Sequence, residues 1–390
     1  MMKSIKTLYK LSTVVLATVV LAACNDVVTY NDNYDDGMTS KGAPVISGIY
    51  DISDNTVSLS EGSLEQMLKI SGENLSHVES IYFNDVMVDL SEVYATADTT
   101  YLPVPRTLPT EVTNILTYTT ELGTTTRDFK VQIPSLKVKG LYNAFALPGD
   151  TVQVIGSFFD LYGFGTNEAA TFSLDGAVLP LDTLNLNSEY MAVILPKDAP
   201  DNATITVSYP NVDGQGAFSM PYRNIKDIVW DLSDPSACGL WAGTDYITDG
   251  SNAADPQLLY KDFIRVQGSF SAWSWNNLPC GGFNLTEDAA TNFNNYQLSF
   301  EVSSKSATPF YDSGSAGYIF QVNGGSYAWN PSAQVSFNTY GEWETVSIPL
   351  STLCSSYTAG WTNLFIILQP NGDWNVDHSF ANIRIEPIIN

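Results

Sequence analysis

Five landmarks in the first 220 residues recur at a spacing near 90. Gly140-Leu141-Tyr142 answers Gly48-Ile49-Tyr50, and Gly156 in the run 152–159 answers Gly72 in the run 68–75. Phe172 likewise answers Phe83, Pro196 answers Pro105, and Phe218 answers Phe129. A period of this length is a tandem domain duplication, and it limits each copy to a small fold with a core of its own. Leu68 and Ile70 alternate with Lys69 and Ser71, the pattern of a half-buried strand. Glycines and Asn/Asp pairs break the runs, and no helical periodicity persists over ten residues. The spacing predicts two small β-sandwiches, over 43–134 and 135–226.

Composition changes after residue 226. All eight tryptophans lie at or beyond Trp230, in a segment, 227–390, that has no second copy. Leu298, Phe300 and Val302 alternate with Gln297, Ser299 and Glu301, and Ile383 and Ile385 alternate with Asn382, Arg384 and Glu386. The run 364–368 is apolar throughout, as in a strand buried on both faces. Length and strand number predict a jelly-roll β-sandwich, so the whole chain is expected to be all-β.

The leader is of another kind. Lys3, Lys6 and Lys10 precede an uncharged stretch, 11–23, that fits a secretory signal and is too short to span a membrane. Residues 1–23 carry three lysines and no acid. Their removal leaves 14 basic against 42 acidic residues, a net charge of −28. Such a field repels nucleic acid, anionic membrane surfaces and polyuronates, and so favours neutral ligands. Residues 24–42 read as an acidic tether. Beyond Cys24, only Cys238, Cys280 and Cys354 remain, with no C-x-x-C pair. They are expected as core residues with at most one disulfide.

Within 227–390 four basic residues stand against sixteen acidic ones. Three loop-like runs, 271–277, 321–331 and 369–375, combine tryptophan with Asn, Gln, Gly and Ser. A sugar ring needs that mixture: its C–H face packs on an aromatic plate, and its hydroxyls need donors paired with acceptors. Trp273, Trp275 and Trp329 are therefore expected on the surface, with Tyr327 beside them and Trp374 between the surface and core classes. Asn276, Gln321 and Asn323 are the expected hydroxyl partners. Trp230, Trp241, Trp343 and Trp361 are assigned to the core.

No catalytic residue and no cofactor is assigned. Glu342 and Glu344 are the nearest carboxylate pair, read as a solvated strand edge rather than as the acid and nucleophile of a hydrolase. His77 and His378 lie in different domains, are read as surface or turn residues, and form no zinc or nucleophile-activating motif. Asp373 and Asp377, with Asn371 and Asn375, give a secondary reading as a structural calcium loop.

Several of these segments resemble known families. Leu21-Ala22-Ala23-Cys24 resembles the lipobox of bacterial lipoproteins, which implies lipidation of Cys24, and the acidic tether resembles the surface-export tag of Bacteroidetes lipoproteins. The proline-led strand from Pro44, the run Ile70-Ser71-Gly72-Glu73-Asn74-Leu75 and Ile81-Tyr82-Phe83-Asn84 resemble the IPT/TIG immunoglobulin-like family. The likeness is looser over 135–226, where Ser157-Phe158-Phe159 departs from the motif. The run 296–302, Gly341 to Ser351 around Trp343, and Asn382-Ile383-Arg384-Ile385 resemble the C-terminal domain of Bacteroidetes surface glycan-binding proteins. The resemblance implies a non-catalytic, outer-membrane, surface-exposed lipoprotein. It would bind a neutral polysaccharide, a β-glucan first, for a TonB-dependent transporter complex, and touch the membrane only through its lipid. The rival readings are an adhesin working through the tandem sandwiches and, behind it, a glycoside hydrolase.

Overall fold

The computed structural model describes residues 40–182, 188–211, 214–310, 317–329 and 337–389. The lipidation expected at Cys24 lies outside the described residues. The chain divides into two compact units, one ending at Ser135 and the other beginning at Leu136, and it is all-β.

In the first unit, Val45–Asp51, Met67–Glu73, Thr99–Pro103 and Tyr94–Ala95 form one antiparallel sheet. Val86–Met87, Val78–Phe83, Ile115–Thr120 and Gly123–Asp128 form the facing one. Leu68, Ile70, Phe83, Leu116 and Tyr118 fill the space between, and the Tyr118 hydroxyl donates to the Leu75 carbonyl at 2.6 Å. The duplicated glycines have a shared cause. Val45–Asp51 pairs with Met67–Glu73 through a bulge between Ile46 and Gly48, and Lys137–Leu141 pairs with Thr151–Ser157 through a bulge between Val138 and Gly140. A Cβ on Gly72 would lie 1.9 Å from the Val45 carbonyl oxygen, and one on Gly156 would lie 2.0 Å from that of Lys137. Only glycine lets the backbones approach so closely at a bulge.

The second unit opens with the other immunoglobulin-like sandwich. One sheet holds Lys137–Leu141, Thr151–Ser157 and Tyr190–Ile194; the other holds Ala177–Val178, Thr171–Leu174, Ala203–Asn211 and Gly214–Tyr222. The chain then enters two five-stranded antiparallel sheets. The first runs, in spatial order, Leu240–Ala242, Asn276–Leu285, Gly360–Leu368, Tyr318–Val322, Gly325–Trp329. The second runs Ile247–Thr248, Phe263–Phe270, Trp374–Pro387, Tyr296–Ser304, Glu344–Pro349. Phe300, Phe320, Phe380 and Trp329 meet between the sheets, with Phe300 and Phe320 stacked at 5.0 Å.

The polar faces of two strands in the second sheet are not solvated as their alternation predicts. Ser299, Glu301, Asn382, Arg384 and Glu386 are all buried. The preceding sandwich covers them: Arg384 lies over the Phe145 ring at 4.9 Å, and Asn224 Nδ2 donates to Glu386 Oε2 at 3.0 Å. Ala144 N donates to Thr345 Oγ1 at 2.7 Å, and Arg223 Nη1 to the Leu259 carbonyl at 3.0 Å. The buried charges are paired, with Arg384 Nη1 donating to both Glu301 oxygens at 3.0 and 3.1 Å and its Nε donating to Glu386 at 2.9 Å. Burial pushes the Glu301 carboxyl above its usual range, and the Arg384 guanidinium opposes that rise.

Candidate binding face

The two large sheets differ in charge. None of the five strands of the first sheet contains Asp, Glu, Lys, Arg or His. Its inward face carries Leu278, Phe320, Leu364 and Ile366. The alternation that points these residues inward turns Trp361, Asn363 and Phe365 outward on Gly360–Leu368. Cross-strand pairing puts Asn284 opposite Trp361 and Gln321 opposite Phe365 on that outer face.

Trp361 and Trp241, assigned to the core from sequence, are instead 61% and 54% exposed. Glycines make this possible. A Cβ on Gly282 would sit 2.3 Å from the Trp361 ring, so the indole lies flat across the strand at that residue and reaches towards Gly239. Trp241 meets Phe365 edge-on at 5.8 Å. Trp275, 51% exposed, stands where the Asn276–Leu285 strand begins, its Nε1 donating to Asn277 Oδ1 at 3.0 Å. From Trp275 to Asn284 the strand advances nine residues, about 25–30 Å at ~3.3 Å per residue. Three tryptophans thus mark one uncharged face, with Asn277, Asn284, Asn363 and Gln321 between them.

The other expected ligand residues divide. Trp273 is 69% exposed at the tip of the loop between the sheets. Its backbone is left-handed (φ 62°), held by its N–H donating to the Pro370 carbonyl at 2.7 Å. Trp329 and Trp374 are not on the surface, at 4% and 6% exposure. Trp329 faces inward opposite Tyr318 and packs on Phe300 and Phe310, and Trp374 packs on Tyr318 and His378. Tyr327, two residues before Trp329, shares its inward side and is half-buried against the core. Asn276 spends its amide on the Ser274 and Leu368 carbonyls, and Asn323 donates to the Ser356 carbonyl at 2.8 Å, so both brace loops. Gln321 remains half-buried on the outer face.

Trp230 and Trp343 are core residues, with Trp343 Nε1 donating to the Gln257 carbonyl at 2.7 Å. His378, expected in a turn or at the surface, is fully buried. Its Nδ1 accepts from the Tyr318 hydroxyl at 2.7 Å, its Nε2 donates to the Thr308 carbonyl at 2.9 Å, and burial lowers its pKa to about 4. Glu344 is not a solvated edge residue: it faces Tyr142 of the preceding sandwich, and burial raises its pKa. Asp377 is held by Arg265 at 2.9 and 3.0 Å, and Asp373 accepts from Ala272 N at 2.9 Å. Among the described residues, no three His, Cys, Asp or Glu side chains converge as metal ligands. Cys238, Cys280 and Cys354 are all free thiols, so the single disulfide allowed for is not formed.

The family model for the surface glycan-binding protein B xyloglucan binding domain matches residues 222–387. Over those residues the chain is similar to that family. That family consists of glycan-binding domains of surface proteins, not of enzymes. The glycan-binding domain and the sandwiches before it also resemble solved structures along most of the chain. Surface glycan-binding protein PbSGBP-B from Prevotella bryantii is 18% identical with a TM-score of 0.51, over 89% of this chain and 99% of that one. An SGBP-B from a complex xyloglucan utilization locus in Bacteroides uniformis is 16% identical with a TM-score of 0.44, over 89% and 100%. No curated protein matches the chain.

Proposed function

We propose that the outer face bearing Trp241, Trp275 and Trp361 captures a neutral β-glucan, xyloglucan first. The observation that carries this reading is the charge-free sheet itself. A chain with 42 acidic residues keeps every charge off five adjacent strands and fills their outer face with indoles and amides. Indole plates take sugar C–H faces, Asn and Gln side chains take hydroxyls, and the flat, open arrangement suits a long polymer. The family description of residues 222–387 names xyloglucan. Around this core function, the lipobox-like Cys24 would hold the protein on the outer membrane, and the captured chain would pass to a TonB-dependent transporter complex.

The test is calorimetric titration of the full chain with xyloglucan, mixed-linkage β-glucan, cello-oligosaccharides and a polyuronate. Binding of the neutral glucans, with affinities of about micromolar to millimolar, and silence with the polyuronate are expected. Equal binding of the polyuronate would remove the charge argument.

A further inference from the structure

A crevice of about 840 Å³ separates the second immunoglobulin-like sandwich from the open end of the glycan-binding domain. Thr204, Ser219 and Lys226 line one wall, and Asn284, Tyr296 and Trp361 line the other. Two of these, Asn284 and Trp361, also stand on the tryptophan face, so face and crevice share a boundary. Asn224, another lining residue, is 4% exposed. Its Nδ2 donates to Asp227 and Glu386, and its Oδ1 has no hydrogen-bond partner. A buried acceptor left unpaired is costly unless a donor reaches it.

We propose that this crevice is a second subsite for the same polysaccharide chain, taking the sugar units that run past Trp361. The binding site is then built from two domains, and the immunoglobulin-like sandwich is part of it rather than a spacer. The inference rests on the glucan reading above. Three features support it. The crevice continues directly from an exposed indole plate. Its walls carry hydroxyl, amide and apolar groups like those of the face, with Lys226 and Asp227 as added charges. The contacts of Arg384, Glu386, Thr345 and Arg223 across the junction hold the walls in place before any ligand arrives, so little ordering is needed on binding.

The experiment uses the full chain and a series of cello- and xyloglucan oligosaccharides of rising length. Thr204 and Ser219 are exposed strand positions, so Thr204→Trp and Ser219→Trp would fill the crevice while keeping residue types that strands accept. Affinity of the unaltered chain should rise with length. Both variants should bind the shortest ligand normally and lose about tenfold or more on the longest. A readout without mutation is hydrogen exchange: the longest oligosaccharide should protect residues 202–206 and 217–221, and the shortest should not. Variants with unchanged melting curves that bind the longest ligand as tightly as the parent would overturn the proposal. So would an absence of length-dependent protection. Failure of the unaltered chain to bind any glucan would instead sink the glucan reading, and this inference with it.

Discussion

Trp361 and Trp329 are the same residue type two strands apart in one sheet, and their roles are opposite. Trp361 lies outside on Gly282, whereas Trp329 lies inside against Phe300 and Phe310. Trp361→Ala and Trp241→Ala should each weaken glucan binding at least tenfold, about 1.4 kcal/mol or more, with melting curves little changed. Trp329→Ala should instead open a core cavity costing about 3–5 kcal/mol of stability. Titration and thermal melts on the same three proteins separate the two outcomes, and a Trp329→Ala protein that melts normally would contradict its core placement. His378 gives a pH signature. Its pKa is about 4 in the fold and about 6.5 when unfolded, so the unfolded chain takes up the proton first as pH falls. The stability tied to neutral His378 is complete above pH 6.5 and is lost progressively towards pH 4, by about 2–3 kcal/mol. Urea unfolding at pH 7 and 4.5 should show His378→Gln losing less than the parent over that interval.

At the level of strands, glycine decides what the surface displays. Gly282 lies within Asn276–Leu285, where strand propensity would prefer a branched residue, because the Trp361 plate lies where a side chain would project. Gly282→Ala should push the indole off the sheet. The ring is exposed and can swing aside, so the fold should lose little, yet affinity should fall as far as in Trp361→Ala. A Gly282→Ala protein with parental affinity would show that the plate does not need its seat. Strand period explains the rest. Trp361 precedes Thr362, Leu364, Ile366 and Leu368, all inward, so alternation alone turns it outward. The Cys280-Gly281-Gly282 run was the second available signal, since paired glycines inside a strand mark close approach. The loop-like composition around Trp329 points to the surface, but Gly325–Trp329 pairs as an edge strand with an inward face.

On the scale of the whole chain, residues 136–390 form one compact unit, and the expected boundary at 226/227 falls inside it. The fragment 227–390 would expose Glu301, Arg384 and Glu386 to water and lose the cover of Phe145 and Asn224. It should therefore melt well below 136–390, and Glu301→Ala in the full chain should cost about 3–5 kcal/mol by leaving a buried guanidinium underpaired. Differential scanning calorimetry measures both, and a fragment 227–390 as stable as 136–390 would disprove the coupling. At the other end of the chain, Cys24→Ala should move the protein from the membrane fraction to the soluble one. Retention with membranes at high salt would rule out the lipid anchor.

Much follows from order along the chain alone. The 90-residue period, the alternation of Leu68 with Ile70 and the clustering of tryptophan after residue 229 depend only on local spacing, and from them come the all-β class, the duplication and the location of glycan chemistry in the last domain. Which tryptophans are plates does not follow so directly, because the face a side chain occupies depends on which strand lies beside it and on whether a glycine there leaves room. Nor does the fate of Ser299, Glu301 and Arg384 follow. Their alternation marks a face distinct from the core, but whether water or another domain covers that face is settled by contacts between residues some 80 to 240 positions apart. Only the folded chain brings Phe145, Asn224 and Arg384 together and leaves the crevice beside Trp361 open.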